Sequence, residues 1–208
     1  MKKVDLSQWP RARHFELFKN YDMPLLNITA DVDVTKLHKK VKNNGWSFFA
    51  TMLYYVMKVI NEIPEFRYRI RNNEVIEHEW VHPSYTVLFE DDLFGFVTTK
   101  FEEEIDAFRH HVDEDIKHTQ MSQSLDEEDR DDLIYISAIP WVSFTSVTHP
   151  WNSNNPDSFP RVTWGKFYKK NERVFIPVSV AAHHALCDGV HAGKFFKKLT
   201  LEIENIEL

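Results

Sequence analysis

Two adjacent histidines, His183 and His184, stand where a long apolar stretch, Val174 to Ala182, runs out, and Ala185-Leu186-Cys187-Asp188-Gly189 follows them. An imidazole titrates near neutral pH and can take a proton from a hydroxyl, so a histidine on a rigid scaffold suits a general base. Strand ends and the loops after them commonly display such side chains. An Asp four residues on and a turn-forming Gly would fix the backbone around it. The spacing alone is weak, because with 11 histidines about one His-x-x-x-Asp match is expected by chance. A second match does occur, from His111 to Asp115, where i,i+4 pairing on a charged helix face explains it. The residues by themselves leave His184 open between a general base and a satisfied core histidine.

Other chemistries find less support. Cys187 is the single cysteine, which excludes an intrachain disulfide framework; a small apolar role suits it better than that of a nucleophile. His110, His111, His183, His184 and His191 lack cysteine partners or a His-Glu-x-x-His helix, so no metal site is expected. With 5 Gly in the whole chain there is no glycine-rich phosphate loop. A net charge of -7 argues against broad nucleic-acid binding, which needs concentrated Lys and Arg. The start MKKVDLSQWPRAR carries basic residues without an apolar stretch behind them, unlike a signal peptide. Val174 to Ala182, broken by Pro177 and Ser179, is too short for a membrane span. A soluble cytoplasmic protein is expected.

The elements that must position these residues are legible in part. At 208 residues and 43% hydrophobic, the chain suits a single domain, residues 1–208, with a substantial core. Val34 to Asn44 reads as a surface helix stopped by Asn-Gly. Ser47 suits the N-cap of a second, well-buried helix that Pro64 ends. Arg67 to Ile70 and Glu74 to His78 read as a hairpin about Arg71-Asn72-Asn73, and Ser84 to Phe89 as a strand. Phe101 to His118 reads as an amphipathic helix, with Phe101, Ile105, Phe108, Val112 and Ile116 on one face. Leu125 to Asp132 is a strongly acidic run, expected to be solvated. Strands are expected over Leu133 to Ala138, Val142 to Val147, Val162 to Tyr168 and Val174 to Ala182. A closing helix over Gly189 to Ile206 turns Val190, Phe195, Phe196, Leu199 and Ile203 inward. Strands and helices without strict alternation point to a two-layer α/β sandwich on a mixed β-sheet.

HHALCDGVHAG resembles the signature of the chloramphenicol acetyltransferase family, whose strand-end motif is His-His-Ala-x-Cys-Asp-Gly-x-His. Trp9-x-Arg11-x-x-His14-Phe15-Glu16 is similar to that family's N-terminal motif. Pro64-Glu65-Phe66-Arg67, Val81-His82-Pro83-x-Tyr85-Thr86-Val87 and Ser137-Ala138-Ile139-Pro140-Trp141-Val142-Ser143-Phe144 match in order and spacing. The likeness runs from about Leu6 to about Leu199, nearly the whole chain.

The resemblance implies a homotrimer with three sites at subunit interfaces, where acetyl-CoA, as co-substrate, and an acyl acceptor react in a ternary complex. His184 matches the general base, Ser137 the hydroxyl that stabilises the tetrahedral oxyanion, and Thr163 a threonine that holds a water near it. Asp188 and Arg11 match an ion pair that supports the site. Phe18, Thr86, Phe94, Val147, His149 and Trp151 fall at acceptor positions, and Lys166, Lys169 and Lys170 could meet the phosphates of coenzyme A.

Two segments depart from the family. Val147-Thr148-His149-Pro150-Trp151 stands where the family commonly runs Phe-Asn/Asp-Leu-Asn, and Gln120 to Leu133 lacks an aromatic-Pro-Gly element. Catalytic positions are kept and acceptor positions altered, so the sequence leaves chloramphenicol and another hydroxyl compound both open as acceptor. A relative using a different acyl-CoA is a further reading, since the His motif is also similar to that of the dihydrolipoamide acyltransferases. The lack of a lipoyl or subunit-binding segment ahead of the domain counts against a multienzyme core. A non-catalytic small-molecule-binding homologue is the third reading. Five matching site residues argue against it, because a fold alone does not require them.

Overall fold

The computed structural model describes residues 1–123, 125, 129–152 and 157–208. It begins with a short strand, β1 (Lys2–Lys3), and a two-turn helix, α1 (Ala12–Phe18). Strand β2 (Leu25–Asp33) leads into helices α2 (Thr35–Asn44) and α3 (Phe48–Asn61). A 3-10 turn over Pro64–Arg67 precedes the hairpin β3 (Tyr68–Arg71) and β4 (Glu74–Glu77). Strands β5 (His82–Leu88) and β6 (Phe94–Thr98) pair ahead of helix α4 (Ile105–Ser122). Then come β7 (Leu133–Ile139), β8 (Arg161–Gly165), β9 (Tyr168–Lys170), β10 (Arg173–His183) and helix α5 (Gly189–Glu204).

The main sheet runs β2-β10-β8-β7-β5-β6, with β9 pairing to β10. The β5–β7 and β7–β8 pairs are parallel and the rest antiparallel, so the sheet is mixed. Period-2 alternation divides its side chains between two faces. Val162, Trp164, Val178 and Val180 share one core with Leu53 and Met57 of α3, Phe108 of α4, and Phe195 and Leu199 of α5. Thr163 and Ser179, between them, and Ser137, between Ile136 and Ala138 of β7, fall on the opposite face. No helix among the described residues is long and apolar enough to cross a membrane.

Local chemistry explains why these elements stop and start where they do. Gly45 ends α2 with φ +66, a left-handed cap that suits glycine. Ser47 accepts from the Ala50 N–H and opens α3 as the sequence predicts. Asn72 and Asn73 carry φ of 48 and 63, as a tight turn in the β3–β4 hairpin requires.

Several elements differ from expectation. Helix α4 begins at Ile105 rather than Phe101, because the Glu104 side chain accepts from the Asp106 and Ala107 N–H groups and caps it there. Phe101 is buried all the same, in the lead-in to the helix, where its N–H donates to His82 Nδ1 at 3.0 Å. Val190 is 59% exposed, since helical spacing sets it on the face of Lys194 and Lys197; His191 and Ala192 turn inward instead. Val142 to Val147 is not a strand. Both sides of β7 are already taken by β5 and β8, and the segment instead carries Val142 O to the Lys166 N–H at 2.8 Å. That contact divides the expected strand Val162 to Tyr168 into β8 and β9. It also requires Gly165, where an added Cβ would lie 2.7 Å from Val142 O. Within the acidic run, Asp126, Glu127 and Glu128 lie outside the described residues.

Arg69, 1% exposed, binds the edge hairpin to the main sheet. Its guanidinium donates to the carbonyl oxygens of Asp131, Phe66, Tyr68 and Leu133 at 2.5 to 3.0 Å. Burial lowers its pKa to about 10, which still leaves it charged at neutral pH, compensated by carbonyl dipoles. Arg69→Met would strand four buried or part-buried acceptors, so we expect a loss of roughly 3 kcal/mol or more in chemical denaturation. A stability within 1 kcal/mol of the parent would refute this account of the hairpin's anchorage.

Candidate active site

Strand β10 delivers the paired histidines to different environments. His183 pairs opposite Leu25 and is 4% exposed, its Nδ1 accepting from the Ala185 N–H at 3.2 Å. Burial pushes its pKa down to about 4 against the opposing pull of Asp157, so the ring is neutral at physiological pH. His184 follows, its N–H extending the ladder to Pro24 O at 2.6 Å. Its Nδ1 lies 2.9 Å from Cys187 O. A carbonyl oxygen only accepts, so Nδ1 carries the proton and Nε2 of the neutral ring presents a lone pair. Phe18 stacks on the imidazole at 4.1 Å between centroids and 19° between planes.

The turn that holds this ring is closed from three sides. Leu186 and Cys187 both donate backbone N–H to His183 O at 2.9 Å. Ala185 and Leu186 are buried with Phe15 of α1 and Val75 of β4 in a second small core, against which Trp9 and Tyr68 pack. Arg11 Nη1 pairs with the Asp188 carboxylate, and Arg11 Nη2 donates to His184 O at 3.3 Å. Burial raises the Asp188 pKa, but the hydrogen bond and charge of Arg11 outweigh it and hold the carboxyl below its ordinary value. The Asp188 N–H donates to His191 Nδ1 at 3.0 Å, and His191 Nε2 lies 3.3 Å from Glu65. Asp188 therefore supports the backbone around His184. Cys187 is buried, donates to Glu65 O at 3.3 Å, and burial pushes its thiol pKa up, which removes any nucleophilic role.

Ser137 and Thr163 lie elsewhere on the sheet. Ser137 of β7 pairs opposite Thr163 of β8, which pairs opposite Ser179 of β10. Thr163 is fully buried and its Oγ1 lies 2.8 Å from His149 Nε2. Burial lowers the His149 pKa, and the charge of Arg161 adds to the effect. Ser179 donates to Asn27 Oδ1 at 2.6 Å, and Asn27 Nδ2 donates to Val147 O at 2.5 Å. Trp151 packs 5.2 Å from the Arg161 guanidinium and 6.2 Å from His183. The segment from Val142 to Trp151 thus crosses the open face of the sheet, from β8 to β2 and back.

These groups form two clusters. From Ser137 to His184 is two strand spacings across the sheet and five residues along β10, or about 19 Å. A serine and an imidazole of one chain cannot close that gap. Phe18 joins the His184 cluster; Val147, His149 and Trp151 join the Thr163 cluster. Thr86 lies on β5 beside β7, while Phe94 is half exposed on β6, opposite Leu88. Lys166, Lys169 and Lys170 are all exposed. Lys169 and Lys170 pair with Val174 and Arg173, about 35 Å along β10 from His184. A grouping of potential metal ligands among the described residues, His110, His111 and Glu114, is exposed on α4.

The sequence reading missed Asn27, Ser179, Arg161 and the carbonyl of Cys187. Alternation of Asn27, Thr29 and Asp31 with Ile28, Ala30 and Val32 was the available signal for the first. Nothing in the sequence marks a carbonyl as the partner of a particular ring nitrogen.

A family model described as chloramphenicol acetyltransferase matches residues 1–200. A chloramphenicol acetyltransferase from Proteus mirabilis is 33% identical over 200 residues, covering 94% of this chain and 91% of the relative. A solved structure described as chloramphenicol acetyltransferase superposes with a TM-score of 0.85 at 26% identity, covering 97% of this chain and all of that one. A probable dihydrolipoamide acetyltransferase from Listeria monocytogenes shares the fold, with a TM-score of 0.70 at 20% identity over all of this chain and 95% of that chain.

The buried neutral His183 has a consequence for acid stability. Its folded pKa of about 4 lies below the ordinary histidine value of 6.5, so the unfolded chain binds the proton more readily between these values. Stability is fully present above about pH 6.5 and should fall as pH drops towards 4, by roughly 3 kcal/mol from this group. Replacing His183 with Gln should flatten that part of the pH–stability curve; an unchanged slope would mean that another group carries it.

Proposed function

Because the chain belongs to the chloramphenicol acetyltransferase family, we propose that it transfers the acetyl group of acetyl-CoA to a hydroxyl of chloramphenicol or a related small molecule. The observation that carries the chemistry is the His184 Nδ1 contact with Cys187 O, which leaves Nε2 as a proton acceptor. His184 Nε2 takes the proton of the acceptor hydroxyl as that oxygen attacks the thioester carbonyl carbon. A new C–O bond forms and the carbonyl electron pair moves to oxygen, where the Ser137 hydroxyl donates to the oxyanion. Collapse breaks the C–S bond, and the departing thiolate recovers the proton from His184. Thr163, beside Ser137, adds a hydrogen-bonding group near the intermediate. The Arg11–Asp188 pair keeps the His184 turn in place.

Two copies are needed to assemble these parts. The gap of about 19 Å within one chain favours a site shared between subunits, in the homotrimer that the family resemblance implies, with His184 of one subunit facing Ser137 and Thr163 of the next. Lys166, three residues past Thr163 and about 10 Å along, is the lysine best placed to meet coenzyme A phosphates. Thr86, next to Ser137, Phe18, on His184, and Phe94 remain acceptor contacts in this reading. One domain over residues 1–208, a cytoplasmic location and antibiotic resistance as the outcome belong to the same reading.

Thiol release from acetyl-CoA, measured with and without chloramphenicol, tests it. His184→Ala should lose about 10²- to 10⁴-fold in rate while remaining folded. Activity within tenfold of the parent would exclude the general base. Ser137→Ala should lower turnover about 10²- to 10³-fold with little change in acetyl-CoA binding. Unfolding and refolding the two inactive variants together should restore activity, to about a quarter of the parent level for random trimers. No recovery from properly reassembled mixtures would mean that the site is not shared between subunits.

A further inference from the structure

The segment Val142 to Trp151 is held to the open face of the sheet at several points. Val142 O accepts from the Lys166 N–H, and Gly165 lets the backbone approach. Val147 O accepts from Asn27, itself fixed by Ser179. Trp151 rests against Arg161, whose guanidinium Asp157 holds with contacts of 2.7 and 3.2 Å. Between the second and third anchors, His149 sets Nε2 at 2.8 Å from Thr163 Oγ1.

An unpartnered threonine hydroxyl rotates to suit whatever approaches it, and so presents no fixed donor. Electrostatic stabilisation of a transition state depends on groups oriented before the charge develops. Thr163 has no exposed surface, and its register neighbour on β7 is Ser137. We infer that His149 is a positioning residue for the reaction: held by the strap, its Nε2 fixes the rotamer of the Thr163 hydroxyl beside Ser137. The inference rests on the acetyl-transfer reading for its catalytic part and on the geometry alone for the contact. In either tautomer the bond is made. With Nε2 bare, Thr163 donates to it; with Nε2 protonated, Thr163 accepts and its own proton is free to point towards the site. The His149 ring is neutral at physiological pH, because burial and Arg161 both oppose its charged form.

The test combines a double-mutant cycle with a readout that needs no turnover. His149→Ala should lower kcat about tenfold while KM for acetyl-CoA stays within about twofold. Thr163→Val should do the same, and the double variant should be no worse than either alone. His149→Gln, which keeps a hydrogen-bonding end group, should recover most of the loss. Multiplying effects in the cycle, or a fall in melting temperature with kcat unchanged, would overturn the positioning role. Separately, deuterium exchange at the imidazole C2 of His149, read by mass spectrometry, should shift at least about threefold in Thr163→Val. Unchanged exchange would overturn the contact itself. Should the parent show no thiol release with chloramphenicol or with any other hydroxyl compound offered, the acetyl-transfer reading fails. The exchange measurement still decides whether His149 and Thr163 are joined.

Discussion

The ion pair between Arg11 and Asp188 is the constraint on which the site depends. Asp188 lies at the start of α5 and Arg11 at the start of α1, so the pair ties two helix beginnings that are 177 residues apart. Through its second nitrogen Arg11 also reaches His184 O, so one guanidinium fixes both ends of the turn that displays the imidazole. The rest of the turn is backbone packing around His183 O and a small apolar core. Losing either charge leaves the other half-buried and unmatched, and it loosens the turn whose Cys187 O sets the His184 tautomer. Orientation of the ring thus comes from a carbonyl, the Phe18 ring and a distant arginine, with no carboxylate touching the imidazole among the described residues.

The sheet divides labour between its ends and its faces. One face carries the apolar core and the helices, which supply stability. The other carries Ser137, Thr163 and Ser179 in one row and receives the strap. His184 stands off the end of β10, beyond reach of that row within its own chain. Such an arrangement lets each part be rigid for its own reasons.

Much of this was readable from residues. The helices at Thr35 and Phe48 announced themselves through Asn-Gly and Ser47, the hairpin through Asn72-Asn73, and β10 through an apolar run ending in polar residues. The misreadings have physical causes. Val142 to Val147 is β-branched and aromatic enough for a strand, but a strand needs a free neighbour, and register is not a local property. β2 escaped because only Val32 among its residues is deeply buried, as befits an edge. The site residues stood out only where they fell in a motif. His149 was visible as a departure, but its bond to Thr163 depends on a crossing of the sheet that no spacing encodes. The tautomer of His184 was likewise illegible, because backbone carbonyls carry no sequence signature.

The strap holds the sheet mostly by its backbone, through Val142 O and Val147 O, while the side chain of His149 meets Thr163 in the polar row. Substitution there can exchange one surface for another without disturbing the strands that hold Ser137 and Thr163. Gly165 bars bulk on the strand side, which channels variation onto the strap. The strap is thereby a heritable unit of its own: a lineage can remodel the surface it presents while the strands beneath keep their register.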